Sequence, residues 1–206
     1  GFEVLPDQPE EDAVDPLAVA VIRLPLHAFA DEARALGVPD SALVEPVALE
    51  LEPVEADAFL RPAVEKTFNR ISVDGDCSTN DAVVLLANGQ SDVARDAASD
   101  ARFAAALREV CADISRQIVA DGEGATVVLE IRVSSASTAE DAQAIARRVA
   151  TSPLVKTAAF GHDPNWGRVL AAAGSAPSNG GFAHLDPDLL TVSFDGTAVF
   201  ERGIGD

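Results

Sequence analysis

Asp121-Gly122-Glu123-Gly124-Ala125-Thr126-Val127-Val128-Leu129-Glu130-Ile131-Arg132-Val133 changes periodicity in its middle. Upstream, Phe103, Leu107, Val110, Ile114 and Ile118 recur at steps of three and four, which lays one apolar face along a helix over about 99–120. Gly122 and Gly124 close that helix, because glycine leaves helical geometry at little steric cost. Downstream, Val127, Leu129, Ile131 and Val133 alternate with Val128, Glu130 and Arg132, the period-two pattern of a strand with one face more buried. Ser137 and Glu140 then stand at capping-box spacing and start a second helix to about Ala150. Helix, strand and helix around one short turn predict an α/β fold, a mixed β-sheet layered with helices.

The alternation extends in both directions. Leu17–Leu24 reads as a buried strand, and Pro25 as the first turn of a helix continued by Leu26, Phe29, Ala30, Ala33 and Leu36 up to Gly37. Val47–Leu51 reads as a short strand, and Val54–Phe68 as a helix in which Pro62 predicts a break or kink. The apolar run Ala82–Ala87 reads as a buried strand. Asn165 or Trp166 begins a short helix ending at Gly174, and Asp195-Gly196 turns a hairpin between Leu190–Phe194 and Thr197–Phe200. The first sixteen residues, with Pro6, Pro9, Pro16 and Glu10-Glu11-Asp12, read as an extended lead-in. Ser175–Phe182 reads as an exposed loop. No internal repeat and no glycine-rich phosphate loop of dinucleotide or P-loop spacing is present.

The chain has 206 residues, 48% of them apolar and 24% charged, enough to bury a sizeable core. A net charge of −19, with Lys66 and Lys156 as the only lysines, argues against a nucleic-acid binder, which needs clustered positive charge. Apolar runs such as Leu17–Ile22 are too short for a bilayer, and no basic-then-apolar leader opens the sequence; the expectation is a cytoplasmic protein with no membrane partner.

Three polar groups invite a chemical reading. Asp74-Gly75-Asp76-Cys77-Ser78-Thr79-Asn80-Asp81 concentrates donors and acceptors around a permissive glycine, and predicts a hydrogen-bonded network. It lacks the glycine and glutamate spacing of a calcium loop. Asp163-Pro164-Asn165-Trp166-Gly167-Arg168 reads as a turn feeding a helix, with Asp163 or Asn165 as cap and Arg168 pairing with a loop carboxylate. Cys77 and Cys111 have no metal-type spacing and read as a reduced pair, while His27, His162 and His184 lie too scattered for zinc; no metal and no cofactor is expected.

The stretch Thr67-Phe68-Asn69-Arg70-Ile71-Ser72-Val73 running into the Asp74–Asp81 loop, the Asp121–Thr126 turn, and Leu154-Val155-Lys156-Thr157-Ala158 with Asp163–Gly174 occur in this order and approximate spacing. Together they resemble the β chain of the glutamate/ornithine N-acetyltransferase family of arginine biosynthesis. The resemblance covers roughly residues 54–206, an acetyltransferase β-chain-like domain, and leaves 1–53 as an unassigned N-terminal element. It implies transfer of acetyl from N2-acetylornithine to glutamate by a threonine that opens the β chain after self-cleavage. The freed α-amine, with a pKa near neutrality, would activate the hydroxyl, and an α-chain oxyanion hole would hold the tetrahedral intermediate.

By the same resemblance, Glu123 is the substrate-binding residue, meeting the amino-acid substrate; the plain alternative is an acidic residue in a helix-to-strand turn. Val127 stands where the family often has a lysine. No threonine precedes Thr67, and Ser41, the only hydroxyl or thiol side chain in residues 1–66, follows Asp40 and forty residues that deny it a free amine. No catalytic residue is therefore assigned. The expectation is a β-chain-like part that is inactive alone, needing an α-chain-like partner and forming an oligomer of unlike chains. The other reading is a noncatalytic or engineered scaffold that retains the family fold.

Overall fold

The computed structural model describes residues 2–4, 18–25, 51–77, 81–85 and 95–205. Its contacts divide the chain into two compact units: Gly1–Leu26 with Glu123–Asp206, and His27–Gly122.

The first unit is built on β3 (Val127–Ser134), where Val128, Ile131 and Val133 are buried. β1 (Phe2–Val4) pairs with β3 in parallel, and β2 (Ala18–Pro25) pairs with it antiparallel, from Ala18 opposite Ser134 to Pro25 opposite Val127. Pro25 thus ends a strand rather than opening a helix; the rest of the helix expected after it lies outside the described residues. On its other edge β2 runs parallel to β6 (Thr191–Phe194), which turns through Asp195 and Gly196 into antiparallel β7 (Thr197–Glu201). Both turn residues have positive φ, +48° and +81°, the left-handed geometry that a two-residue hairpin requires and that an Asp-Gly pair adopts. β8 (Ile204–Gly205) completes the sheet order β1-β3-β2-β6-β7-β8, and β4 (Pro177–Ser178) with β5 (Gly181–Phe182) forms a separate small ribbon within the expected loop.

Helices cover this sheet. In α3 (Ala139–Ala150), Ala142, Ile145, Ala146 and Val149 are buried at the i, i+3, i+4, i+7 spacing of one helical face. They join Ile131 and Val133 in a core completed by Val155 of α4 (Pro153–Phe160), by Val169, Ala172 and Ala173 of α5 (Trp166–Gly174), and by Leu190, Val192 and Phe200. Each large aliphatic side chain fully buried here contributes about 1.5–3 kcal/mol, an upper figure because the unfolded chain is already partly collapsed. The cap of α3 is not Ser137. Thr138 is extended, at φ −143°, and its hydroxyl accepts from the Asp141 N–H at 3.0 Å, while Ser137 Oγ stands 3.4 Å from His184 Nδ1.

The second unit contains α1 (Pro53–Lys66) and α2 (Ala97–Ala120). α1 opens where the Glu52 N–H donates to the Glu55 carboxylate (3.0 Å), and it continues through Pro62 without a break. Pro62 is exposed, so the carbonyl deprived of its helical partner faces water, which limits the penalty. α2 opens on a reciprocal box, Asp96 with Ser99, whose N–H holds the Asp96 carboxyl below its usual range. Phe59 and Phe103 meet edge to face at 5.1 Å, and Arg95 links Glu55 (2.7 Å) to Asp100 (2.9 Å). The expected apolar stripe of α2 fades toward its end: Ile114 and Ile118 are exposed, and the fully buried positions are Ser99, Cys111 and Ser115.

One expected strand is corrected here. Residues 81–85 form no strand, and Ala82, Val83 and Val84 are exposed; Ala87 and the rest of that run lie outside the described residues. Of the strand expected at Val47–Leu51 only Leu51 is described, and 47–50 lie outside the described residues. An apolar run without a hydrogen-bonding neighbour has nothing to hold it extended.

Candidate functional site

Glu123 sits on the turn between α2 and β3. The helix ends when Asp121 N–H donates to the Gln117 carbonyl (2.9 Å) and Gly122 N–H to that of Val119 (3.4 Å). Gly124, at φ +70°, reverses the chain in a conformation that a side chain would strain. Between them Glu123 is exposed, and its carboxylate has no hydrogen bond or ion pair among the described residues. It is a charged group with its acceptor capacity open.

The Asp163–Arg168 stretch folds as a capped turn. Asn165 Nδ2 donates to Asp163 Oδ2 (2.9 Å), while Asn165 Oδ1 accepts from the Arg168 N–H (3.2 Å), satisfying one of the free donors at the start of α5. Asn165 is therefore the cap and Asp163 its brace. Among the described residues, Arg168 does not make the pairing with a loop carboxylate that the sequence predicts. Its Nη1 donates to the Leu154 carbonyl (2.9 Å) and the Thr157 hydroxyl (3.1 Å), tying α5 to α4. Trp166 packs on Phe200 with ring centroids 5.1 Å apart, and Gly205 lies against the indole.

Beside this turn, Arg148, Ser152, Leu154, Asn165, Gly167 and Arg168 line an open cleft of about 240 Å³. Glu123 is not among its lining residues. Arg148 and Ser152 were not singled out by sequence reasoning. Ser152 immediately before Pro153 carries an N-cap signal, and its Oγ accepts from the Val155 N–H at 3.4 Å. Arg148 looks in sequence like any basic residue closing a helix.

The polar loop shows one bond among its described residues, from the Asp76 N–H to Asp74 Oδ1 (2.8 Å), around Gly75 at φ +96°. Asp74, Asp76, Cys77 and Asp81 are exposed; Thr79, Asn80 and Ser78 lie outside the described residues, as do Ser41 and His27. Cys77 and Cys111 are both free thiols, and burial pushes the Cys111 thiol up. Among the described residues no cluster of three metal-ligating side chains occurs, and no helix is long and apolar enough to cross a membrane.

A mixed sheet with helices packed on it, in which β3 is parallel to β1 and antiparallel to β2, places the chain among α/β proteins. Residues 47–206 match the family model described as the ArgJ family, and the chain belongs to that family, the glutamate/ornithine N-acetyltransferases that its motifs resemble. The arginine biosynthesis bifunctional protein ArgJ of Mycolicibacterium paratuberculosis is 47% identical over 155 residues, 75% of this chain and 36% of that one. The protein of the same name from Ruegeria pomeroyi is 49% identical over 146 residues, 71% of this chain and 34% of the relative. The chain thus spans about a third of the length of these curated relatives. The crystal structure of arginine biosynthesis bifunctional protein ArgJ from Bacillus halodurans superposes with a TM-score of 0.66 at 29% identity, covering 77% of this chain and 74% of that one.

Proposed function

We propose that this chain is the β-chain-like part of a glutamate N-acetyltransferase, which moves acetyl from N2-acetylornithine to glutamate in arginine biosynthesis. The observation that carries the reading is the family match over residues 47–206, which includes the Asp121–Thr126 turn. Glu123 is the residue assigned to substrate. An exposed carboxylate without a partner among the described residues suits the ammonium of an amino acid, or a proton moving to the departing amine.

In the transfer, a hydroxyl oxygen adds to the acetyl carbonyl, the tetrahedral oxyanion collapses, and ornithine leaves as its amine after taking a proton. The acetyl ester is then opened by the glutamate amine, which returns the hydroxyl. Residues 1–66 hold one hydroxyl side chain, that of Ser41, and no threonine. The proposal is accordingly that these 206 residues do not turn over alone: an α-chain-like partner, in a cytoplasmic oligomer of unlike chains, would provide the oxyanion hole, and Ser41 is the one hydroxyl in residues 1–66 that could attack.

Reconstitution tests this. The chain is mixed with an α chain of the family, N2-acetylornithine and glutamate, and N-acetylglutamate is measured. The expected result is no turnover by the chain alone; any turnover in the mixture should fall by about a hundredfold or more in Glu123→Gln, in line with loss of a positioned acid–base or charge-pairing group, and its disappearance in Ser41→Ala would make that hydroxyl the attacking group. Turnover by the chain alone that disappears in Ser41→Ala would make Ser41 the nucleophile and overturn the partner requirement. No turnover in any mixture would favour a noncatalytic scaffold.

A further inference from the structure

In a chain with 34 acidic against 15 basic residues, an arginine is expected beside a carboxylate. Arg61, Arg95 and Arg132 each have one. Arg148 and Arg168 have none among the described residues, although both are only half exposed. Arg148 donates through Nε to Ser175 Oγ (3.2 Å), and Arg168 through Nη1 to two oxygens of α4. Both Nη groups of Arg148, and Nε and Nη2 of Arg168, therefore lack a protein acceptor among the described residues.

The two arginines line the same cleft, and no carboxylate-bearing residue lines it among the described residues. Ser152 and Leu154 come from the first turn of α4, and Asn165 and Gly167 from that of α5, so the positive ends of two helices add to the charge of the two arginines. Guanidinium donors partly removed from water and left unfilled are satisfied best by an oxyanion, which accepts two parallel bonds from one fork.

We propose that this cleft binds a small oxyanion, a carboxylate or a phosphate, held between Arg148 and Arg168, at a site separate from the Glu123 turn. Trp166, the only tryptophan, stands between two cleft residues and reports on occupancy.

The test titrates the full chain with inorganic phosphate and, separately, with succinate, by calorimetry and Trp166 emission, against sodium chloride of equal ionic strength. Saturable binding of one anion is expected, and its identity separates the phosphate from the carboxylate. Arg148→Gln leaves the α4–α5 tie in place and should weaken binding by about tenfold or more. Arg148→Lys keeps the charge without the fork, and should retain more of phosphate binding than of carboxylate binding. Absence of saturation with either anion overturns the proposal, and so does undiminished binding in Arg148→Gln. Because the readout is binding rather than turnover, it stands or falls independently of the acetyltransferase assay.

Discussion

Gly205 has no room for a side chain. A Cβ built on it would fall inside the Trp166 indole, which is itself backed by Phe200 at 5.1 Å. A ring packed on another ring cannot move aside as a flexible chain end does. Gly205→Ala should therefore displace either β8 or the indole, and destabilise the fold by about 1–3 kcal/mol, the usual range for overpacking. The measurement is a urea titration followed by Trp166 emission. The expected outcome is a lower midpoint with altered native emission; an unchanged midpoint and spectrum would mean that the last turn yields freely. Gly167, in the same motif, is a contrasting case: a Cβ there would lie 3.6 Å from Asn165 Oδ1, an ordinary contact.

At the scale of the element, the cap of α3 decides how the chain leaves β3 and returns over it. The Thr138 hydroxyl is the group seen on the Asp141 N–H, so Thr138→Ala should lower stability by about 1 kcal/mol, whereas Ser137→Ala should leave the urea midpoint nearly unchanged. Equal effects of the two substitutions would argue against this cap. The displacement from Ser137 to Thr138 shows where sequence reading runs out. Ser137 with Glu140 and Thr138 with Asp141 both have the hydroxyl-to-acid spacing of a cap, and only backbone geometry chooses between them. Elements with a long period or a forced turn were legible: the α2 helix, the β3 strand, the Asp195-Gly196 hairpin and the Asn165 cap all form, although in β3 Val128 is buried where the alternation puts Val127 and Leu129, which are only partly buried. The run at 81–85 misled because apolar content carries no information about whether a neighbouring strand exists. Glu123 is singled out in sequence by the family resemblance, and the structure places it on the helix-to-strand turn that its flanking glycines predict. Arg148 was not legible, because its meaning arises from Arg168, twenty residues later, sharing its cleft.

At the scale of the first unit, the sheet is joined by a segment that the family match does not include. The match begins at residue 47, yet β2, at Ala18–Pro25, is hydrogen-bonded on one side to β3 and on the other to β6. Sheet order makes it the bridge between the 127–134 strand and the 191–205 hairpin strands, with no other strand pairing across that gap among the described residues. Removing residues 1–26 should expose the facing edges of β3 and β6 together, and unpaired edges recruit other chains. The expected behaviour of residues 27–206 is self-association in size-exclusion chromatography and loss of a cooperative urea transition by circular dichroism. A synthetic peptide of residues 1–26 added in trans should restore both, because the register from Ala18 opposite Ser134 to Pro25 opposite Val127 is available to a separate strand. Helices α3 and α5 still share their Ala and Val core in the truncated chain, so residual helical signal without a sharp transition is the specific signature of a sheet opened at β2. A monomeric 27–206 chain with the parent midpoint would mean instead that β3 and β6 close on each other, and that β2 is dispensable to the fold.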